Sequence, residues 1–238
     1  MAPFGVPEIV AAVRGAPSVL DAGCGSARLT LALAEAGVGD VVGIDTSAER
    51  LAQGRGRVAG TGVQLLEADF DAPLPFPDGR FGAVVSRLAL MIAADPVATL
   101  REFARVAGGP VVTALWAPPE ANPWFALPRA AAAAVVDANY ARAFGRLGTE
   151  EEAAAVHRAA GLRDVRAATL RETLEFADAA ALWTWMAGEI GHVRRIDAAL
   201  SDAERAAVLA ELERLTAPHR GADGLRLARA MTLVYASA

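Results

Sequence analysis

Two acidic residues beside a glycine turn have the spacing expected of a site for a nucleotide-like ligand. Asp21 ends an apolar run and precedes Gly23 and Gly25, which let the backbone turn sharply and approach a ligand closely. A helix is predicted to begin near Ser26, so that its unpaired N–H groups face the same place. Asp45 ends a second apolar run, 20 residues after Gly25, where a doubly wound sheet places the carboxylate that binds ribose hydroxyls. We therefore predict a nucleotide-like cofactor at this turn.

The residue at position 28 distinguishes between cofactors. A nicotinamide or flavin fingerprint, G-x-G-x-x-G, needs a third glycine there to bring helix and strand together over a pyrophosphate, and this chain has Arg28. The missing glycine, together with the acid at position 21, favours a ligand with an amino group and no phosphates. S-adenosylmethionine fits that description, and a nicotinamide-dependent oxidoreductase stays open as an alternative.

Alternating apolar strands and helices must position these residues. Strands are predicted over 18–22, 41–45, 63–67, 82–87 and 110–116, and helices over 7–14, 26–36, 47–59 and 96–106. Thr46 and Glu49 have the spacing of a capping box for the helix 47–59. Five apolar strands separated by helices are typical of a parallel sheet covered on both faces.

After Trp116 the alternation gives way to proline-rich and helical segments. Helices are predicted over 149–160, 178–188 and 202–216, and strands over 163–176 and 226–236. The two late strands would complete an α/β fold with a doubly wound, Rossmann-like, mostly parallel sheet of seven strands and helical cap insertions. We predict one domain over residues 1–238, with a core of 15–116 plus the late strands and with cap segments 117–160 and 177–224.

Four ordered motifs resemble those of class I S-adenosylmethionine-dependent methyltransferases. They are Asp21-Ala22-Gly23-Cys24-Gly25-Ser26-Ala27, Gly43-Ile44-Asp45-Thr46-Ser47, Glu67-Ala68-Asp69-Phe70, and Leu74-Pro75-Phe76-Pro77-Asp78-Gly79-Arg80-Phe81 running into Gly82-Ala83-Val84-Val85-Ser86. The last is similar to a run found in methyltransferase type 11, the branch related to ubiquinone and menaquinone biosynthesis. The resemblance covers residues 18–116 and is weak beyond them. Ala27 and Gly82 depart from the pattern, because the family usually has glycine and an acid at these two positions.

The resemblance implies contacts to the methionine portion of S-adenosylmethionine. The backbone from Gly23 through Cys24 to Gly25 would surround this portion, and Asp21 would contact its amino group directly or through a water molecule. Ser86, near the end of the predicted fourth strand, would touch the methionine end with its backbone.

The same resemblance implies contacts to the nucleoside portion. Asp45 would accept hydrogen bonds from the ribose hydroxyls, with Thr46 beside the adenine. Asp69 would accept one from the adenine amino group, with Phe70 near the ring. Structural alternatives stay open for these residues: the two aspartates could cap the turns that follow them, and Phe70 could belong to the core.

Methyl transfer makes few demands on catalytic side chains. It is an in-line displacement at an activated sulfonium, so that the enzyme mainly aligns the nucleophile. A general base is needed only where the acceptor must lose a proton. The candidates are His157, His192 and His219, of which His192 is preferred because nearby glycines indicate a mobile segment; single histidines on helices are more often structural or solvated.

Aromatic residues outside the cofactor motifs suggest what the acceptor is. Trp116, Trp124, Trp183 and Trp185 offer flat apolar walls, although a place in the core of the cap is the competing interpretation. Arg87 would orient an anionic group of the substrate or pair with a nearby acid. We predict a small, largely apolar or aromatic acceptor.

Composition argues against several other classes. A net charge of −5 lacks the basic footprint of a nucleic-acid-binding protein. The sequence has no apolar window of ~18 residues and no signal-peptide pattern, so we expect a cytoplasmic protein without a membrane span. One cysteine and three scattered histidines lack metal-ligand spacing, so we expect no metal.

Together these patterns predict a cytoplasmic S-adenosylmethionine-dependent methyltransferase that acts on a small molecule as a monomer or homodimer. A homologue that binds the cofactor and performs another reaction, or has a regulatory role, is the main alternative, because fold and binding do not determine chemistry. A macromolecule methyltransferase is disfavoured by the charge.

Overall fold

A computed structural model describes residues 3–141 and 146–238, without the side chains of residues 138, 141 and 192. In the first half, the elements are α1 (Val6–Ala12), β1 (Ser18–Ala22), α2 (Arg28–Glu35), β2 (Asp40–Asp45), α3 (Ala48–Arg57), β3 (Gln64–Glu67), β4 (Ala83–Arg87), α4 (Pro96–Val106) and β5 (Pro110–Trp116). They follow the predicted alternation of strands and helices, with ends shifted by a few residues.

The second half is mainly helical. Its elements are α5 (Pro123–Val135), α6 (Glu150–Ala159), β6 (Arg163–Phe176), α7 (Ala179–Glu189), α8 (Gly191–Ala199), α9 (Asp202–Thr216), β7 (Arg220–Gly221) and β8 (Gly224–Ser237). Short 3-10 helices occupy Leu90–Ile92, Pro119–Ala121, Ala138–Ala141 and Ala217–His219. Helix α8 was not predicted, and Pro128 lies inside α5.

The sheet confirms the predicted doubly wound α/β class. Its strand order is β3-β2-β1-β4-β5-β8-β6, and the two-residue β7, added on β8, makes eight strands in the described part of the chain where seven were predicted. Strands β1 to β5 pair in parallel and β8 pairs antiparallel with β5. The chain order reverses between β1 and β4, and ligands of open α/β sheets bind at the carboxyl ends of the strands at such a point. The glycine turn follows β1 directly and therefore lies at this position.

The chain divides into two compact units. Unit 1 comprises Met1–Ala117, Gly145–Leu170 and Met231–Ala238, and unit 2 comprises Pro118–Phe144 and Arg171–Ala230. Helix α6, which we assigned to the cap, belongs to unit 1, because buried His157 on this helix bonds to Thr113 on β5. The single-domain assignment stays a prediction.

In unit 1 the central strands are buried on both faces. Leu20, Val84 and Val111 pack on one face, which α4 covers with Leu100 and Phe103. The alternate strand residues, Val19, Val85 and Val112, pack on the other face with Ile9 of α1 and Leu33 of α2. Near-continuous apolar runs are the sequence pattern expected of such strands.

Unit 2 is built around α5, α7, α8 and α9. Helix α9 packs against α5 and α7, and α7 also packs against α8. The Trp183 indole N–H on α7 donates a hydrogen bond of 2.7 Å to Asp197 on α8, and Arg205 on α9 forms an ion pair with the same carboxylate. None of the helices in the described ranges is long and apolar enough to cross a membrane.

The start of α3 differs from the prediction by one residue. Ser47, not Thr46, caps this helix: its hydroxyl accepts a hydrogen bond from the Arg50 N–H at 3.3 Å. The shift occurs because the Asp45 carboxylate binds the Ser47 N–H, at 2.9 Å, and so determines where the extended chain ends. Thr46 is exposed beside this carboxylate.

Candidate functional site

The turn between β1 and α2 is held against the end of β2. Gly23, Gly25 and Ala27 all have positive φ, of 77°, 55° and 61°. The N–H groups of Gly23 and Cys24 both donate to the Ile44 carbonyl oxygen, at 2.9 and 2.8 Å. The turn and the carboxyl end of β2 therefore form one rigid substructure.

The two glycines of the turn differ in what surrounds them. A Cβ atom on Gly23 would overlap the Cβ of Ala89 and would lie 3.4 Å from Cε1 of Phe70. Among the described residues, a Cβ on Gly25 would meet only Cδ of Arg50, at 3.9 Å. Packing within the protein therefore requires glycine at position 23, whereas Gly25 borders space that a ligand can enter.

Ala27 takes a conformation that glycine adopts more easily, and its methyl group has a matching partner. The residue is fully buried at the N-cap of α2. A Cβ on Gly54 of α3 would lie 3.1 Å from the Ala27 Cβ and 2.9 Å from Cδ1 of Leu65. The glycine in α3 thus makes room for the alanine that departs from the family pattern.

Asp21 is a buried carboxylate directly before the turn. It is 1% exposed, and its Oδ2 accepts a hydrogen bond of 2.6 Å from the Thr30 hydroxyl on α2. Burial raises the pKa of Asp21 to about 6, against the opposing effects of Thr30 and Arg87, and the charge of Asp45 adds to the rise. A positively charged ligand group nearby would stabilise the ionised form.

Asp45 joins the turn to the chain that leaves β2. Its Oδ2 accepts from the Gly25 N–H and its Oδ1 from the Ser47 N–H, both at 2.9 Å. Asp45 therefore caps the turn that follows it, which is the structural alternative considered above. Each carboxylate oxygen has a second lone pair, so the group retains acceptor capacity for the two hydroxyls of a ribose. The residue is 7% exposed, next to the open side of Gly25.

Asp69 and Phe70 lie in the loop after β3. Asp69 is exposed, and its Oδ1 accepts from the Asp71 N–H at 2.9 Å, which is the loop-capping alternative. Phe70 is half-buried and packs edge-on against Phe103, with ring centroids 6.4 Å apart. Since Phe70 also approaches Gly23, it belongs to the core and borders the turn.

Two other predicted residues of the site are fully or largely buried. Ser86, on β4, is 0% exposed, and its hydroxyl has no hydrogen-bond partner among the described residues. Cys24 has a buried free thiol. Burial and the charges of Asp21 and Asp45 raise the pKa of this thiol, so it is a poor nucleophile.

Arg87 ends β4 and holds the N-terminal segment. Its Nε and Nη2 donate to the Phe4 carbonyl oxygen at 3.1 and 3.0 Å. This arrangement supports a structural use of the guanidinium, and contact with a substrate stays a prediction.

The three candidate bases have different surroundings. His157 is fully buried, with Nδ1 2.6 Å from the Ala153 carbonyl oxygen and Nε2 3.0 Å from the Thr113 hydroxyl, and burial lowers its pKa to about 4. These contacts give His157 a structural role instead of that of a base. His219 ends a 3-10 helix in unit 2. His192 lies in α8 with its side chain outside the described part of the chain, so its role stays a prediction.

The tryptophans separate into buried and half-buried pairs. Trp124 and Trp183 are buried in unit 2, where their indole N–H groups bond to Asn122, at 3.0 Å, and to Asp197. Trp185 is half-buried, with its ring centroid 5.7 Å from that of Trp124 and 5.4 Å from that of Phe176. Trp116, in unit 1, is half-buried as well. The structure therefore favours the core interpretation for the buried pair.

The sequence patterns did not indicate a role for Asp71 near the site. Its carboxylate accepts a hydrogen bond from the Thr99 hydroxyl at 2.7 Å and one from the Ala94 N–H at 2.9 Å. Aspartate is common in loops, so the residue type alone carried no signal for these contacts. No cluster of three or more potential metal-binding side chains occurs within the described residues.

Comparison with protein families identifies a methyltransferase domain over residues 20–112. Among curated relatives, the demethylmenaquinone methyltransferase of Shouchella clausii is 38% identical over 107 residues, which are 42% of this chain and 45% of that protein. The chain spans less than half the length of the curated relatives first matched. The matched domain contains all four motifs.

Solved structures extend the likeness to nearly the whole chain. The YcgJ protein of Bacillus subtilis superposes with a TM-score of 0.66 at 16% identity, covering 98% of this chain and 97% of that one. The [4+2]-cyclase SpnF superposes with a TM-score of 0.57 at 21% identity, covering 97% and 79%. Residues 20–112 of this protein thus match the model of a methyltransferase domain, and nearly the whole chain shares the Rossmann-like fold of the solved structures named above.

Proposed function

We propose that this protein is an S-adenosylmethionine-dependent methyltransferase that acts on a small, largely apolar or aromatic acceptor. The observation that carries the proposal is the position of Asp45. Its carboxylate binds Ser47 and also Gly25, in the turn at the sheet's switch point, and it retains acceptor capacity beside the open side of Gly25. The match of this segment to a methyltransferase domain supports the same conclusion.

The residues present fit S-adenosylmethionine. Asp45 would hold the ribose hydroxyls, and the Gly25 backbone would border the ligand where, among the described residues, only Cδ of Arg50 comes within 4 Å of a Cβ. Asp21 contributes a buried negative charge that suits a ligand carrying ammonium and sulfonium groups. Ser86 contributes a buried hydroxyl without a partner among the described residues, and such groups are normally satisfied. Asp69, Thr46 and Phe70 would line the adenine end.

The chemistry requires alignment more than acid–base groups. When bound, S-adenosylmethionine supplies a methyl group already activated by the sulfonium. The rigid turn and Asp45 orient that group, and correct alignment of two reactants for in-line displacement can contribute ~7 to 11 kcal/mol. The Cys24 thiol and the His157 imidazole do not act as nucleophile or base, because the thiol has a raised pKa and the imidazole is buried with a lowered pKa. His192 is the proposed base for acceptors that must lose a proton.

The proposed acceptor class rests on the half-buried aromatic rings and on charge. Trp116 in unit 1 and Trp185 in unit 2 each keep part of a large apolar ring accessible. Such rings suit apolar or aromatic molecules. The net charge of −5 disfavours a polyanionic acceptor. A small-molecule substrate, a cytoplasmic location and a monomeric or homodimeric state complete the proposal.

A cofactor-binding homologue with a different reaction is the second candidate. The observation that favours it is the likeness to the [4+2]-cyclase SpnF, a protein of this fold whose named reaction is a cyclisation. A nicotinamide-dependent oxidoreductase is less well supported, because Arg28 stands where the phosphate fingerprint requires glycine.

Titration of the purified protein with S-adenosylhomocysteine tests the cofactor assignment. We expect Asp45→Ala to weaken binding by roughly 1.5 to 3 kcal/mol, as for the loss of charge-assisted hydrogen bonds. Asp40→Ala is the matched control: it removes the same group at the opposite end of β2, where Asp40 pairs with Arg80 on the surface, and should bind as the wild type does. Equal affinity of Asp45→Ala and the wild type would contradict the assignment.

A panel of small aromatic and apolar acceptors then separates the two candidates. Incubation with S-adenosylmethionine should release S-adenosylhomocysteine in the presence of a suitable acceptor. Cofactor binding without such release, together with conversion of a test substrate by another reaction, would favour the second candidate.

A further inference from the structure

We infer that Asp71 is a positioning residue that holds Asp69 and Phe70 in place, by tying their loop to the segment after β4, and thereby sets the affinity of the site for the nucleoside half of its cofactor. The inference rests on the proposed function, since it concerns the same cofactor. Asp71 acts through its neighbours and has no assigned contact with the ligand.

Two separate segments press on the glycine turn. Phe70, from the loop after β3, approaches Gly23 with its ring edge, and Ala89, from the segment after β4, lies against Gly23 so closely that a Cβ would overlap it. Phe70 and Ala89 therefore meet at the same glycine, and the position of the Phe70 ring depends on how these two segments are held together.

The Asp71 carboxylate forms that link. Asp71 directly follows Phe70, and its Oδ2 accepts from the N–H of Ala94, which lies in the segment that begins at Ala89. Its Oδ1 accepts from the hydroxyl of Thr99, which is buried on α4. One side chain thus ties the Phe70 loop to the Ala89 segment and to the helix beneath both.

The backbone of Asp71 has a second effect. Its N–H donates to Oδ1 of Asp69, the residue proposed to accept from the adenine amino group. A shift of residue 71 would therefore turn the Asp69 carboxylate as well as the Phe70 ring. Both proposed adenine contacts depend on the position of this one residue.

The rest of the loop is anchored independently. The Leu74 N–H donates to Oε1 of Glu102 at 2.6 Å, and Arg105 donates to the carbonyl oxygens of Leu74 and Phe76 at 3.2 and 2.9 Å. Asp71 takes no part in these contacts, so we expect them to remain when it is changed. We therefore expect a local displacement of residues 69 to 71 in an otherwise folded protein.

The test compares Asp71→Ala with Asp95→Ala by calorimetric titration and thermal unfolding of the full chain. Asp95 is the N-cap of α4, where its Oδ1 accepts from the N–H groups of Val97 and Ala98, so its removal also costs two hydrogen bonds at the same junction. We expect Asp71→Ala to weaken S-adenosylhomocysteine binding about fivefold to twentyfold and Asp95→Ala to stay within about twofold, while both lower the Tm.

Adenosine as a second probe locates the effect. Asp71→Ala should weaken adenosine binding by a factor similar to that for S-adenosylhomocysteine, because both ligands contain the nucleoside. Thr99→Val removes one of the two side-chain bonds of Asp71 and should weaken both ligands in the same direction by a smaller factor. This variant decides the matter if Asp71→Ala does not fold.

Unchanged affinity in Asp71→Ala or, where that variant does not fold, in Thr99→Val would overturn this inference alone, since the wild type would still bind. Weakening of S-adenosylhomocysteine without weakening of adenosine would also overturn it. Failure of the wild type itself to bind either ligand would overturn the proposed function and this inference with it.

Discussion

The glycine turn of unit 1 and the tryptophans of unit 2 both combine apolar packing with polar groups. They differ in how completely those polar groups are hydrogen-bonded within the protein. In unit 2, the indole N–H groups of Trp124 and Trp183 are bonded to Asn122 and Asp197 within the same unit. Around the turn, Asp45 retains acceptor capacity, and the Ser86 hydroxyl has no partner among the described residues. Satisfied polar groups indicate a core, and incompletely satisfied ones at a sheet's switch point indicate a ligand site.

The largest expected effect concerns the stability of variants at the two glycines of the turn. We expect Gly23→Ala to destabilise the protein by about 3 kcal/mol or more, because the new Cβ overlaps Ala89 and φ is 77°. Gly25→Ala should cost only about 1 to 2 kcal/mol, from its left-handed backbone, while reducing S-adenosylhomocysteine affinity by a larger factor. Chemical denaturation and titration measure the two effects. Equal loss of stability in both variants would contradict the distinction between a packed and an open glycine.

The dependence of stability on pH tests the role of Asp21. Its folded pKa is raised from 3.8 to about 6, so its stabilising contribution is complete below 3.8 and is lost as the pH rises through about 6. The wild type should therefore lose stability between pH 4 and 6.5, whereas Asp21→Asn lacks this ionisation. The free energy of unfolding of Asp21→Asn minus that of the wild type should increase over this range by up to about 3 kcal/mol. Denaturant titrations across this range measure it.

Ligand affinity should respond to the same ionisation. A cationic ligand group prefers the ionised carboxylate, so the affinity of the wild type for S-adenosylhomocysteine should fall from pH 7 to pH 5, whereas that of Asp21→Asn should change less. A stability difference that does not vary between pH 4 and 6.5 would show that Asp21 is not the perturbed group.

The smallest effect concerns unit 2. Trp183→Phe keeps an aromatic ring but removes the bond to Asp197, so we expect a loss of about 1 to 2 kcal/mol of stability with unchanged affinity for S-adenosylhomocysteine. Trp185→Phe is the comparison variant, since this half-buried residue should tolerate the change better. A Trp183→Phe protein of normal stability but altered acceptor specificity would instead place Trp183 in a substrate pocket.

Local sequence patterns were sufficient to predict the parallel strands of unit 1 that carry the site. The apolar runs that end at Asp21 and Asp45 predicted two neighbouring parallel strands, and the structure pairs Asp21 with Gly43 and Ala22 with Ile44. The position of Asp45 followed from this pairing. Its bonds to Gly25 and Ser47 could not be predicted in detail, because they depend on how the chain leaves β2.

Contacts distant in sequence were beyond that reasoning. His157 was considered as a base, but its imidazole binds Thr113, 44 residues away, and is buried between α6 and β5. Asp71 reaches Thr99, 28 residues away, and nothing in its own loop indicates this partner. Ala27 illustrates the same point, because the space for its methyl group comes from Gly54 on another helix.

The most direct test is a crystal structure of the protein with S-adenosylhomocysteine. The proposed site predicts the ligand at the carboxyl ends of β1 and β4, with the Asp45 carboxylate within about 3 Å of the ribose hydroxyls. A complex in which Asp45 lies more than ~4 Å from those hydroxyls, or in which the ligand binds elsewhere, would contradict the assignment of this turn as the cofactor site.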